Sequence, residues 1–216
     1  MTIEILLFDG FDDLDAFGPF EVLAGAGLRT TFVTAEPAAF VTSAGGARVI
    51  PHGVLGDADL LLVPGGGWND RAGRGSHHEA QRGVIPALLR ERHAAGRRVG
   101  SVCTGAMLLA EAGVLSGRRA TTHHSARDEL RTYDVDVAAD ARFVDEGDII
   151  TSAGVTAGID MALHLVEQAL GAETAAASAR EIEWAQRPEA KNRRPPAGAS
   201  PRLTPAGDGE LSPQDA

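Results

Sequence analysis

Short apolar runs alternate along most of the chain with longer stretches in which apolar residues recur at helical spacing. Residues 2–8, TIEILLF, form a largely apolar run ending at the Asp9-Gly10 turn signal, as a buried first strand does. In LDAFGPFEVLAGAG (14–27), Leu14, Phe17, Val22 and Leu23 predict an amphipathic helix in spite of the Gly18-Pro19 pair in its first turns. RTTFVTAE (29–36) predicts a second strand, and ADLLLVPGGG (58–67) a third that stops abruptly in three glycines. A long helix is expected over about 78–95, with an irregularity at Pro86. The strand RRVGSVC (97–103), the helix TGAMLLAEAG (104–113) and a short strand, GRRATTH (117–123), follow. RFVDEGDIITSAG (142–154) holds strand pieces around an Asp-Glu-Gly turn, and VTAGIDMALHLVEQALG (155–171) is a strongly periodic helix closed by Gly171.

Strands alternating with helices predict a doubly wound α/β sheet, whose function sits where loops converge at the carboxyl ends of the strands. A chain of 216 residues, 44% of them hydrophobic, suffices for one sizeable core and is short for two ordinary domains, so residues 1–187 are expected to form a single domain. The character changes at Pro188. Six of the eleven prolines fall in 188–216, where Leu203 and Leu211 are the only large aliphatic residues, and a disordered tail is expected.

The formal charge of −10 opposes nonspecific attraction to nucleic acid or an anionic membrane and favours small neutral molecules as partners. A single cysteine, Cys103, excludes an intramolecular disulfide and a multi-cysteine metal site. MTIEILLF has no basic region and is too short for a signal sequence, and nowhere do eighteen apolar residues run together, so a cytoplasmic protein is expected. No GxGxxG pattern supports a dinucleotide cofactor. His77-His78 lacks a third ligand, His164 reads as a satisfied core histidine, and His52 and His93 have no evident chemical neighbours, so neither metal nor cofactor is predicted.

Cys103 ends a predicted strand and is followed by Thr104-Gly105 and a helix. A sharp turn there would expose a nucleophile above the sheet and aim amides at it, favouring thiolate; a small apolar core residue is the alternative. The loop Pro64-Gly65-Gly66-Gly67 offers glycines whose amides can approach a reacting atom, or simply a tight turn. In Asp12-Asp13-Leu14-Asp15, Asp12 and Asp13 read as caps and a solvated first turn, whereas Asp15 stands where a helix start can turn it towards the cysteine loop.

LDAFGPFEVL, PGGG, SVCTGAMLLAEAGVLSGRRATTHH and SAGVTAGIDMALHLVEQ, in that order, resemble the ThiJ/PfpI superfamily of flavodoxin-like cysteine proteins, and most nearly its isonitrile (isocyanide) hydratase branch. The resemblance spans about residues 3–186 and implies a flavodoxin-like, mainly parallel sheet with helices on both faces. It implies Cys103 as nucleophile with Asp15 as its acidic partner, Thr104, Gly65 and Gly66 bordering the site, and His123 near the pocket. Phe17, Trp68 and Val155 are expected to line that pocket, with Trp68 either a lid or an exposed aromatic. Protease members place a histidine directly after the cysteine and glyoxalase-like members a glutamate at the position of Asp15; Thr104 and Asp15 depart from both. The implied activity is cofactor-independent hydration of an isocyanide to an N-formamide by a homodimer. Two other readings stand beside it: a small-molecule sensing domain like the front half of AraC-type regulators, and a stress-related chaperone or other cysteine hydrolase. From the short proline-rich stretch after residue 186, no in-chain DNA-binding region is expected.

Overall fold

The computed structural model describes residues 1–71 and 73–185. The expected tail, 188–216, lies outside the described residues. In chain order the elements begin β1 (Thr2–Leu6), α1 (Asp13–Gly25), β2 (Arg29–Thr34), β3 (Val41–Thr42), β4 (Arg48–Val49), β5 (Gly53–Val54) and β6 (Leu60–Val63). Then come α2 (Ser76–Arg82), α3 (Val84–Ala94), β7 (Arg98–Val102), α4 (Gly105–Glu111), β8 (Arg119–Ala120), a single 3-10 turn at His124–Ala126 and α5 (Arg127–Arg131). The chain continues through β9 (Asp136–Val137), β10 (Phe143–Asp145), β11 (Ile149–Ser152), α6 (Ala157–Leu170) and α7 (Ala172–Glu181).

Seven strands form one sheet in the order β10-β11-β7-β6-β1-β2-β5, parallel throughout except for β10 against β11. Two packed groups of helices, α1 with α6 and α7 and α2 with α3 and α4, flank it. Strands covered on both faces bury nearly every side chain, which is why Leu60–Val63 is an unbroken apolar run with all four residues buried. From β1 the chain first adds β2 on one side and then β6 and β7 on the other. This reversal opens a crevice above the carboxyl ends of β1, β6 and β7.

The predicted doubly wound α/β architecture is present, with local differences. The helix expected over 78–95 is two helices, because Gly83 at φ +74° takes the left-handed conformation that ends α2. Pro86 is no irregularity: it sits in the first turn of α3, where its missing N–H has no partner to lose. The strand expected over 117–123 is only Arg119–Ala120 and pairs with β9 outside the main sheet. Pro19 is inside α1, and Gly18 and Gly158 let α1 and α6 come close: a Cβ on Gly18 would stand 3.2 Å from Ile159 Cγ1, and one on Gly158 3.2 Å from Pro19 Cγ.

Candidate active site

Cys103 follows the last paired residue of β7 and adopts φ +57°, a left-handed conformation rarely held by a residue with a Cβ. Surrounding groups hold it there. Its N–H is shared between the carbonyls of Ser152 and Ala153 at 3.1 and 3.0 Å, and its own carbonyl accepts the Thr122 hydroxyl at 2.9 Å. The turn requires Gly105, whose Cβ would collide with the Val63 carbonyl oxygen at the end of β6.

Asp15 lies in the first turn of α1 and is 1% exposed. Asp12 caps the helix, its Oδ1 accepting the N–H groups of Leu14 at 3.1 Å and Asp15 at 3.4 Å. Asp13 is not a cap: its Oδ2 accepts the Gly45 N–H at 3.0 Å and ties the β3–β4 hairpin to the helix start. Asp15 Oδ2 accepts the Gly65 N–H at 2.9 Å, and the carboxyl meets the Cys103 thiol, while Oδ1 is buried without a well-formed hydrogen bond. Burial, helped by the negative charge of Asp12, raises the Asp15 pKa from its ordinary 3.8 to about 7 against the opposing pull of the Gly65 amide and the thiol.

Burial also pushes the Cys103 thiol up, with Asp15 adding to the effect. The amides of Val155 and Thr104 reach the sulfur and pull the other way. The expected preference for thiolate is therefore corrected: desolvation and neighbouring negative charge outweigh two N–H groups, and the resting sulfur is a thiol. With the thiol protonated, Asp15 titrates near neutrality, so one proton moved between them interconverts thiol–carboxylate and thiolate–carboxylic acid.

The glycine loop serves differently from the expectation. The Gly65 N–H is taken by Asp15, and the Gly66 N–H by Thr104 Oγ1 at 3.0 Å. These amides position the acid and the threonine, leaving neither free as an oxyanion donor. Ser76 completes the cradle, its Oγ donating to the Gly66 carbonyl at 2.8 Å and lying 3.3 Å from Thr104 Oγ1. The loop is glycine because a Cβ on Gly65 would stand 2.5 Å from both Thr104 N and Oγ1.

Val155, at φ +39°, belongs to the site through its amide. His123 packs across Gly154, so closely that a Cβ there would meet its ring, and its Nδ1 accepts the Ser125 N–H at 3.3 Å. Burial and the neighbouring His124 and Arg127 lower its pKa, keeping the ring uncharged at neutral pH. Trp68 and Phe17 are each anchored by partners of their own. Trp68 is 2% exposed, neither lid nor exposed aromatic: its Nε1 donates to Glu129 Oε2 at 2.8 Å, and it lines a surface cavity with Arg71, His77 and Glu111 that none of Cys103, Asp15 and Thr104 lines. Phe17 joins an aromatic row with Phe11 and Phe32, ring centroids 6.4 and 5.3 Å away. Thr122 and Ser76 escaped sequence reasoning. Nothing local marks Thr122, whose contact lies 19 residues away in the chain.

Three of the other histidines are engaged in the framework: His52 Nδ1 accepts the Phe32 N–H, His93 pairs with Asp148, and His164 pairs with Asp145. Among the described residues no three of His, Cys, Asp and Glu cluster to hold a metal ion, and no helix is long and apolar enough to cross a membrane.

Residues 1–168 match the DJ-1/PfpI family. The chain belongs to this family. It is 36% identical over 191 residues to an isonitrile hydratase of Pseudomonas putida, covering 87% of this chain and 80% of that protein. It is also 40% identical over 125 residues to the HTH-type transcriptional regulator CdhR of Pseudomonas aeruginosa, covering 56% of this chain and 34% of the regulator. Among solved structures, a ThiJ/PfpI family protein from Pseudomonas syringae superposes with a TM-score of 0.74 at 28% identity, covering 92% of this chain and 78% of that one. This member of the family carries a strained cysteine beside a buried carboxyl, with threonine rather than histidine next in the chain.

Proposed function

We propose that the protein hydrates isocyanides, R–N≡C, to N-formamides through a covalent thioimidate on Cys103. The observation that carries this reading is the Asp15 carboxyl, buried against the thiol and titrating at about 7. The one-proton pair supplies both partners the first step needs. The thiolate forms the C–S bond at the terminal carbon while Asp15 gives its proton to that carbon, leaving R–N=CH–S–Cys103 and a carboxylate. Asp15 then takes one proton from water as the oxygen adds to the same carbon, and the remaining proton of that water passes to the nitrogen as the C=O bond forms. The C–S bond breaks, formamide leaves, and the thiolate–acid pair is restored. Thr104, fixed by Gly66 and Ser76, aims its backbone N–H at the sulfur and stabilises the departing thiolate.

Absence of a histidine beside Cys103 weighs against the Cys–His peptidase version of the site, and similarity along 80% of an isonitrile hydratase supports hydration. The test is a panel of alkyl and aryl isocyanides assayed for formamide with the wild type, Cys103→Ala and Asp15→Asn. Turnover by wild type alone supports the mechanism; equal turnover by Cys103→Ala overturns it. The similarity to CdhR favours a second reading, a domain that binds a small metabolite without turning it over. Thermal stabilisation by a metabolite in wild type and Cys103→Ala alike, with no isocyanide consumed, selects that reading. The expected homodimer is tested by sedimentation.

A further inference from the structure

We propose that Thr122 is a positioning residue for Cys103, its buried hydroxyl locking the Cys103–Thr104 peptide so that the Thr104 N–H stays aimed at the sulfur. The proposal rests on Cys103 being the reacting group of the hydration above, but its readout is the thiol itself. Thr122 is wholly buried, and its Oγ1 donates to the Cys103 carbonyl at 2.9 Å. That carbonyl and the Thr104 N–H are opposite ends of one planar peptide group, so restraining one orients the other. The Thr104 amide is one of the two N–H groups that reach the sulfur. On the far side, Thr104 is held by its own hydroxyl, which accepts from Gly66 and neighbours Ser76.

The restraint matters because Cys103 sits at φ +57°. A backbone held in the left-handed region relaxes when its anchors are removed. Among the described residues the Cys103 carbonyl also accepts from the Ala106 N–H, but at 3.4 Å, a long contact from the first turn of α4. Rotation of the peptide by a few tens of degrees would carry the amide off the sulfur and leave the Val155 N–H as its main support. Thr121, the preceding residue, provides a matched contrast. It is equally buried, yet its Oγ1 has no hydrogen-bond partner.

The experiment measures the rate at which iodoacetamide alkylates Cys103, as a function of pH, in the full chain and in Thr122→Val, Thr122→Ser and Thr121→Val, with urea unfolding to confirm the fold. Thr122→Val is expected to react about tenfold more slowly at fixed pH, as a rise of about one unit in the thiol pKa requires. Thr122→Ser restores the hydroxyl and the rate, and Thr121→Val behaves as wild type. If Thr122→Val does not accumulate as folded protein, Thr122→Ala removes the same hydroxyl and is read the same way. Unchanged alkylation in the hydroxyl-free variant overturns the proposal, as does an equal loss in Thr122→Ser, which would assign the effect to packing. An alkylation effect in a protein that hydrates no isocyanide overturns the hydratase reading and leaves the positioning role standing; hydration without an alkylation effect does the reverse.

Discussion

Replacing Asp15 by asparagine should make the protein more stable at alkaline pH while abolishing hydration. The Asp15 carboxyl titrates at 3.8 when unfolded and at about 7 when folded. Below pH 3.8 it is protonated in both states and contributes no pH-dependent term. Between those values the folded state binds more protons than the unfolded state, so stability falls as pH rises, and above about 7 the loss is complete. At about 1.4 kcal/mol per pH unit, the displacement amounts to at most about 4 kcal/mol at pH 8 and about 2 kcal/mol at pH 5. Asparagine is nearly isosteric, keeps an oxygen for the Gly65 N–H, and never ionises, so it escapes this loss. The thiol stays protonated across the window and contributes equally to both proteins. Urea unfolding at pH 5 and pH 8 is the assay. Asp15→Asn should gain on the wild type by about 2–3 kcal/mol more at pH 8 than at pH 5. A stability difference that does not change between the two pH values would show that Asp15 ionises at its ordinary pKa and would remove the basis for its role as a proton donor.

Three further outcomes are expected. The kcat/KM for an isocyanide should rise with pH through about 7 as the Cys103–Asp15 pair passes from two protons to one, and Asp12→Asn, which keeps a helix cap and removes a charge that raises Asp15, should move that rise to lower pH; a profile that falls across this range rules out the one-proton pair as the reacting form. Cys103→Gly should be about 1 kcal/mol more stable than Cys103→Ala in urea, because only glycine holds φ +57° without strain, and equal stabilities would mean the turn is relaxed. Gly105→Ala should destabilise the fold by roughly 3 kcal/mol or more through collision with the Val63 carbonyl, and a midpoint near wild type would contradict the close approach of α4 to β6.

The alternation of strands and helices was legible in the sequence because β1, β6 and β7 are buried on both faces and α6 on one, so each carries its own pattern of apolar residues. The break at Gly83 was not, since a single glycine inside a helical pattern is as compatible with continuation as with a cap. Strands of two residues, β3, β4, β5, β8 and β9, are too short to show periodicity and owe their form to their partners. That Cys103, Asp15, Thr104 and the glycine loop lie together was expected from turn chemistry and from resemblance to the family, and the hydrogen bonds of the loop bring them together. The partners of Trp68 and Phe17 were not legible, because spacing along the chain does not say which face of a layer an aromatic side chain joins.

By itself the sequence determined the layered α/β architecture, the strand end that carries Cys103 and the acid that accompanies it. These are local properties: hydrophobic period, turn residues and a short block of motif. Only the tertiary structure decided protonation and donor assignment, because both depend on what lies within a few ångströms from distant parts of the chain. Burial against the crevice sets the thiol and the Asp15 carboxyl as a proton-sharing pair, the Gly65 and Gly66 amides are committed to Asp15 and Thr104, and a hydroxyl from Thr122 fixes the peptide beside the sulfur. Desolvation and hydrogen-bond geometry act through space, and no pattern along a single chain encodes them before that chain is folded.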